Sequence, residues 1–224
     1  MPYGGTRGRR ALAAGALMLA WLGLLWVLAA ADGSDPYCLP FDYDPPLVCE
    51  YGIEPRDTGG LLDIYPAAFL HFGFDHLAAN SWPLVIFGFL AALRGIARFL
   101  AVSFVIITVS GLGVWLTASG GSITAGASGV VFGLFGYLLA RGFVERNALD
   151  ITVGLTVFLL YGSLLWGVLP TQNGVSWQGH LFGLLGGVAS AFWLRRGDRA
   201  GTRPRRRTVW DRRGLTGPPP GHPG

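Results

Sequence analysis

The chain has 224 residues, 51% of them hydrophobic and 13% charged, with a mean hydropathy of +0.46. That balance is too apolar for an ordinary soluble domain, and the length excludes several domains side by side. The net charge of +4 comes from 17 basic residues, all of them arginine, whose placement follows the apolar runs and does not form a nucleic-acid patch.

Residues 1–10 hold Arg7, Arg9 and Arg10 and read as a cytoplasmic N-terminus. Six stretches without Asp, Glu, Lys or Arg follow: 11–31, 76–93, 99–117, 123–140, 151–169 and 176–194. Each approaches the roughly 20 residues a helix needs to cross a bilayer. The runs are continuous and not alternating, so they predict helices and not a barrel. The expected fold class is an all-α membrane protein with six transmembrane helices over 11–194. The first run exceeds the core of a secretory signal and is read as a retained span.

The loop 32–75 carries nine of the thirteen acidic residues and both cysteines, Cys38 and Cys49, which can pair in an oxidising compartment. Its later part, "GGLLDIYPAAFLHFGFD", is too apolar for a solvated loop and too interrupted for a span, so it is expected to pack on the helices at the outer interface. Sixteen of the seventeen arginines fall on the N-terminal side of this topology and only Arg56 on the other. The positive-inside rule then puts both termini in the cytoplasm. Residues 195–224 read as a disordered basic cytoplasmic tail that can meet anionic lipid headgroups.

Three polar residues inside the runs share one level. Counted at 1.5 Å per residue, Asn80, Ser128 and His180 lie four or five residues from the outer starts of the second, fourth and sixth runs, and His76 stands one turn above Asn80. Ser128 alone reads as a packing residue, whereas an ionisable group such as His180 in a span is costly and tends to be functional. Gly183 and Gly187 share the His180 face, and Gly129 and Gly133 accompany Ser128, so the two helices can approach closely. Neutral imidazole can take a proton from a serine hydroxyl, and His76, the Asn80 amide and a backbone N–H can face a developing oxyanion. No run holds a carboxylate to orient His180, so a dyad is expected, with Phe132 stacked on the imidazole. The histidines lack thiol or carboxylate companions at ligand spacing, so neither a metal nor a cofactor is expected.

These residues resemble the rhomboid family of intramembrane serine proteases. "GASG" at 126–129 is similar to the family's nucleophile motif, "GHLFGLLGG" at 179–187 to its last core helix, and "HFGFDHLAAN" at 71–80 to its second. The resemblance implies a six-helix bundle in the cell membrane with the active site near the outer face, and the arginine-only basic usage with abundant Gly and Ala points to a bacterial inner membrane. It implies Ser128 as nucleophile, His180 as base, His76, Asn80 and Gly126 at the oxyanion and substrate site, and His71, Phe132, Gly183 and Gly187 in support. Substrates would be single-span membrane proteins cut within or beside their transmembrane segment. The chain departs from the family in carrying Phe132 where many members have Tyr, and "LLDIYPAAFLH" where the first loop usually holds a Trp-Arg pair. Two other readings are a rhomboid-like protein that binds transmembrane segments without cutting them, and a small transporter. The second predicts an internal repeat that the sequence lacks.

Overall fold

The computed structural model describes residues 4–33, 38, 45–171 and 174–195; the tail reading for 195–224 lies, beyond Arg195, outside them. Every named element among these residues is helical. They are α1 (Gly4–Asp32), the single turn α2 (Leu47–Glu50), α3 (Phe74–Ala92), α4 (Ile96–Thr117), α5 (Ser128–Glu145), α6 (Ala148–Tyr161) and α7 (Trp177–Trp193). Short 3₁₀ turns at Leu61–Ile64 and Pro66–Phe69 precede α3, and another, Gly162–Val168, continues α6.

Local chemistry sets the ends of these helices. Gly73, at φ +87°, introduces α3, and Gly95, at φ +130°, makes the turn into α4, a backbone region glycine enters without steric cost. Asn147 accepts from the Leu149 N–H at 2.9 Å to start α6, and Ser176 accepts from Gly179 to start α7; both are N-caps of the favoured residue types.

Among the described residues, four segments are long and apolar enough to cross a membrane: Arg7–Asp32, Ile96–Thr117, Ser128–Glu145 and Ala148–Val168. They differ in position. Two thirds of the α5 segment is buried, against 17% for α1 and 11% for α6 with its 3₁₀ extension, so α5 is the central helix and the other two lie outside. Phe87, Phe99, Ile106, Leu134 and Phe135 form the core around it, each at most 1% exposed. Leu12, Leu19, Leu159, Leu160 and Phe192 point outward, as side chains facing hydrocarbon do.

Several helix starts differ from the hydropathy runs: α1 opens at Gly4 and α4 at Ile96, seven and three residues before their runs, and two further differences bear on the polar residues. The run 123–140 does not begin as helix: Thr124 forms an isolated antiparallel bridge to Ile53, and Gly126 has φ +136°. Ser128 is therefore the first residue of α5 and not the sixth of a span, and its depth does not follow from helical rise. The run 151–169 starts late, because α6 opens three residues earlier and holds Asp150. That carboxylate is 6% exposed and paired with Arg94, just past α3, and with Arg141 of α5 at 3.2 Å. It lies roughly 20 Å along α5 from Ser128, at 1.5 Å per residue, and so cannot orient His180. Asp150→Asn keeps the shape and leaves two arginines on a neutral amide. We expect it to cost about 3–5 kcal/mol, read as a lower denaturation midpoint in detergent; an unchanged midpoint would show that the pair does not join these helices.

The stretch 59–75 packs on the bundle. Phe69 stacks on Trp21 of α1 with centroids 5.5 Å apart and Tyr65 on Phe104 of α4 at 5.7 Å. Ile64 fills the notch at Gly111, where an added Cβ would come within 2.5 Å of it. In the same loop Cys38 and Cys49 are joined as a disulfide, with Cα atoms 5.4 Å apart.

Candidate active site

α5 and α7 touch backbone to backbone. A Cβ on Gly183 would lie 2.2 Å from the Gly129 carbonyl oxygen, and one on Gly187 would lie 1.7 Å from that of Gly133. Only hydrogen fits at these positions. The contact sets the ends of the two helices side by side, Ser128 preceding Gly129 and His180 following Gly179. Ser110 of α4 adds a tie by donating its Oγ–H to the Gly179 carbonyl at 2.8 Å.

One cavity of about 990 Å³ is lined by Ser128, His180, His76, Asn80, Gly126 and Phe132 together. The His180 ring is fixed on two sides. It lies parallel to Phe132, with centroids 4.0 Å apart and planes 6° apart, and its Nδ1 is 2.8 Å from the Gly167 carbonyl. A carbonyl can only accept, so Nδ1 carries the proton and Nε2 keeps the lone pair. Gly167 has its carbonyl to spare because the chain there is the end of a 3₁₀ turn, where the last carbonyls lack partners.

His76 stands beside the loop that leads into α5: its Cε1 is 2.8 Å from where a Gly126 Cβ would be, which ties Gly126 to glycine on space as well as on φ. Asn80, one turn on, is 7% exposed. Its amide donates one N–H to the His76 carbonyl at 3.2 Å, leaving the second. Pro83 removes the donor that the Ala79 carbonyl would use in a regular helix, and both residues line the cavity.

The remaining named residues lie outside the lining. Gly183 and Gly187 serve the α5–α7 contact, and Cys38 and Cys49 belong to the outer loop. His71, 1% exposed, sits behind the site, edge-on to His76 at 5.1 Å, and its Nε2 accepts the Ala127 N–H at 3.2 Å. Burial, and next the neighbouring His76, lower its pKa from the usual 6.5 to about 3. The folded chain thus refuses a proton that the unfolded chain takes below pH 6.5, so stability is lost as pH falls from about 6.5 towards 3 and is full above. His71→Asn is expected to flatten the fall in thermal midpoint between pH 7 and pH 5 relative to the parent; equal slopes would remove His71 from the acid response.

Sequence reasoning missed Gly167 and Ser110. A backbone carbonyl leaves no side-chain signal, so Gly167 was not legible. Ser110 was, as one of the few hydroxyls in an apolar run beside Gly111 and Gly113.

The rhomboid domain family model matches residues 58–197. Uncharacterized proteins Mb1372 of Mycobacterium bovis and Rv1337 of Mycobacterium tuberculosis are each 36% identical over 197 residues, covering 84% of this chain and 78% of theirs. Putative rhomboid protease YdcA of Bacillus subtilis is 30% identical over 129 residues, 55% of this chain and 62% of its own. The matched region takes in α3 to α7 and with them every residue that lines the cavity from His76 to His180, and four segments suit a bilayer. The protein is a multi-pass membrane protein and belongs to the rhomboid family.

Proposed function

We propose that the chain is an intramembrane serine endopeptidase that cuts single-span membrane proteins within or beside their transmembrane segment. What supports the reading is one cavity shared by a serine at the start of α5 and a histidine on α7 whose tautomer leaves Nε2 as a base. In this reading Nε2 of His180 takes the Ser128 hydroxyl proton as Oγ attacks the scissile carbonyl. The tetrahedral oxyanion is met by the free Asn80 N–H, His76 and the Ser128 backbone N–H, which has no partner within its own helix. His180 then returns its proton to the leaving amine. Water, deprotonated by the same nitrogen, attacks the acyl-serine, and the C–O bond breaks to release the new carboxylate and restore Ser128. Phe132 and Gly167 hold the ring through both halves; with Phe132 in place of Tyr the stacking remains without a phenolic hydroxyl.

The same reading has six membrane-crossing helices, α1 and α3 to α7, both termini in the cytoplasm and the site towards the outer face of a bacterial inner membrane. α7 has 17 residues, enough for a helix that ends below the surface and leaves the site open to water. The test is to reconstitute the protein with a single-span reporter and to label it with a serine-directed phosphonate. Cleavage and labelling are expected, with both lost in Ser128→Ala. Reporter binding with no cleavage and no labelling in the parent would favour a protein that only holds transmembrane segments.

A further inference from the structure

The segment that delivers Ser128, residues 118–127, is tied at its last two residues to the stretch ahead of α3, the Gly126 N–H donating to the Ala67 carbonyl at 2.9 Å and the Ala127 N–H to His71 at 3.2 Å; its earlier part, 118–125, is held by the outer loop. At its start the Arg56 guanidinium donates from Nη1 to the Ala118 carbonyl at 2.8 Å. Near its end Ile53 and Thr124 exchange both backbone hydrogen bonds, at 2.9 and 3.0 Å. Between them the chain of the outer loop is keyed in place: Arg56 N–H donates to the Trp115 carbonyl at 3.0 Å, and the Trp115 indole donates to the Asp57 carbonyl at 2.8 Å. Gly52 lies so close to Ile123 that an added Cβ would meet its Cγ2 at 2.3 Å. Arg56 adopts φ +65°, a region costly for a residue with a side chain and kept here by the contacts on both sides of it.

This loop is in turn anchored to α1. The Asp32 carboxylate at the end of α1 accepts from the N–H groups of Leu47 and Val48, at 2.7 and 2.9 Å, which satisfies two donors at the start of α2. Cys49 of α2 is bonded to Cys38, six residues beyond Asp32. A continuous path of bonded groups therefore runs from α1 through α2 and residues 52–57 to the stretch that ends at Ser128.

We propose that residues 47–57, fastened by Asp32 and the Cys38–Cys49 disulfide, are a strap that positions the nucleophile, with Arg56 and Ile53 as its two points of grip. None of these groups touches the reacting atoms; they act by fixing the backbone from 118 to 125, and opening the disulfide loosens that grip. The inference rests on the proteolytic reading above.

The test measures the maximal rate of Ser128 labelling by a fluorescent phosphonate in detergent, together with the phosphonate concentration giving half that rate, at a temperature where tryptophan fluorescence reports every form folded. Dithiothreitol, which supplies the two electrons and two protons that open the bond, is expected to slow maximal labelling about tenfold or more, as misplacement of a reacting group does. The half-rate concentration should stay unchanged, and reoxidation should restore the rate. The Cys38→Ser and Cys49→Ser double variant should be slow with or without reductant, Arg56→Ala equally slow, and Arg56→Lys partly recovered. Parent labelling that neither reductant nor Arg56→Ala alters would overturn the strap and leave the protease reading intact. A loss with Arg56→Ala alone would overturn the part given to the disulfide. A parent that is never labelled, though folded, would overturn the protease reading and the strap with it.

Discussion

Alanine at Ser128 or at His180 is expected to lower reporter cleavage by about ten-thousand- to a millionfold each, and the double variant should be no slower than the worse single one. The reason is that the hydroxyl and the imidazole do one job. Without a base the Ser128 Oγ–H is a weak nucleophile, and without the hydroxyl the His180 base has only water to activate. The geometry makes His180 the more informative site, because its ring is held by two groups that do not depend on Ser128. Phe132 stacks on one face and the Gly167 carbonyl fixes Nδ1, so Ser128→Ala leaves the imidazole where it was. A quantified time course of reporter cleavage in proteoliposomes decides the matter. Losses that multiply in the double variant, or cleavage retained by Ser128→Ala, would mean that the two groups act separately or that another nucleophile is at work.

How much of this could be read from residues alone varies along the chain for physical reasons. Hydropathy located α4 to within three residues, since its apolar run ends at Arg98 on one side and at polar residues on the other. It misjudged the start of α5 because side-chain polarity does not report backbone geometry. Ile123, Thr124 and Ala125 are apolar or small enough to extend the run, yet they are not helical, and Thr124 is bridged to Ile53. The motif "GASG" was legible, but not its place at a helix start, which rests on Gly126 adopting φ +136°. Asp150 was excluded from a run by its charge, although its two arginine partners allow it to be buried. Those partners lie 9 and 56 residues away, too far for any local pattern to announce them. The same holds for the Arg56 grip on Ala118, 62 residues on. The glycine spacing fared differently. Gly183 with Gly187 and Gly129 with Gly133 are both i, i+4 pairs, and such pairs state a face without naming the partner; the structure supplies the partner, each pair lying on the other.

That contact leads to the second large effect. Gly187→Ala adds one methyl group to a helix face with no space for it: the new carbon would stand 1.7 Å from the Gly133 carbonyl oxygen. A backbone carbonyl cannot turn aside as a flexible side chain would, so α5 and α7 must move apart by more than about 1 Å to reach an ordinary contact distance. Ser128 and His180 ride on those two helices, and a misplacement of about 1 Å costs on the order of a hundredfold in rate. The expected result is therefore a hundredfold or greater loss of cleavage, seen in the catalytic rate, with a stability cost of about 1–3 kcal/mol that leaves the protein folded. Gly183→Ala, with its Cβ at 2.2 Å from the Gly129 carbonyl oxygen, should act in the same direction. Gly23→Ala in α1 is the control: nothing lies within 4 Å of its added carbon, and the change exchanges a poor helix former for the best one, so activity should stay at the parent level. Separating rate from stability matters here. A Gly187→Ala protein with parental cleavage would show that the distance between α5 and α7 does not set the approach of hydroxyl and imidazole.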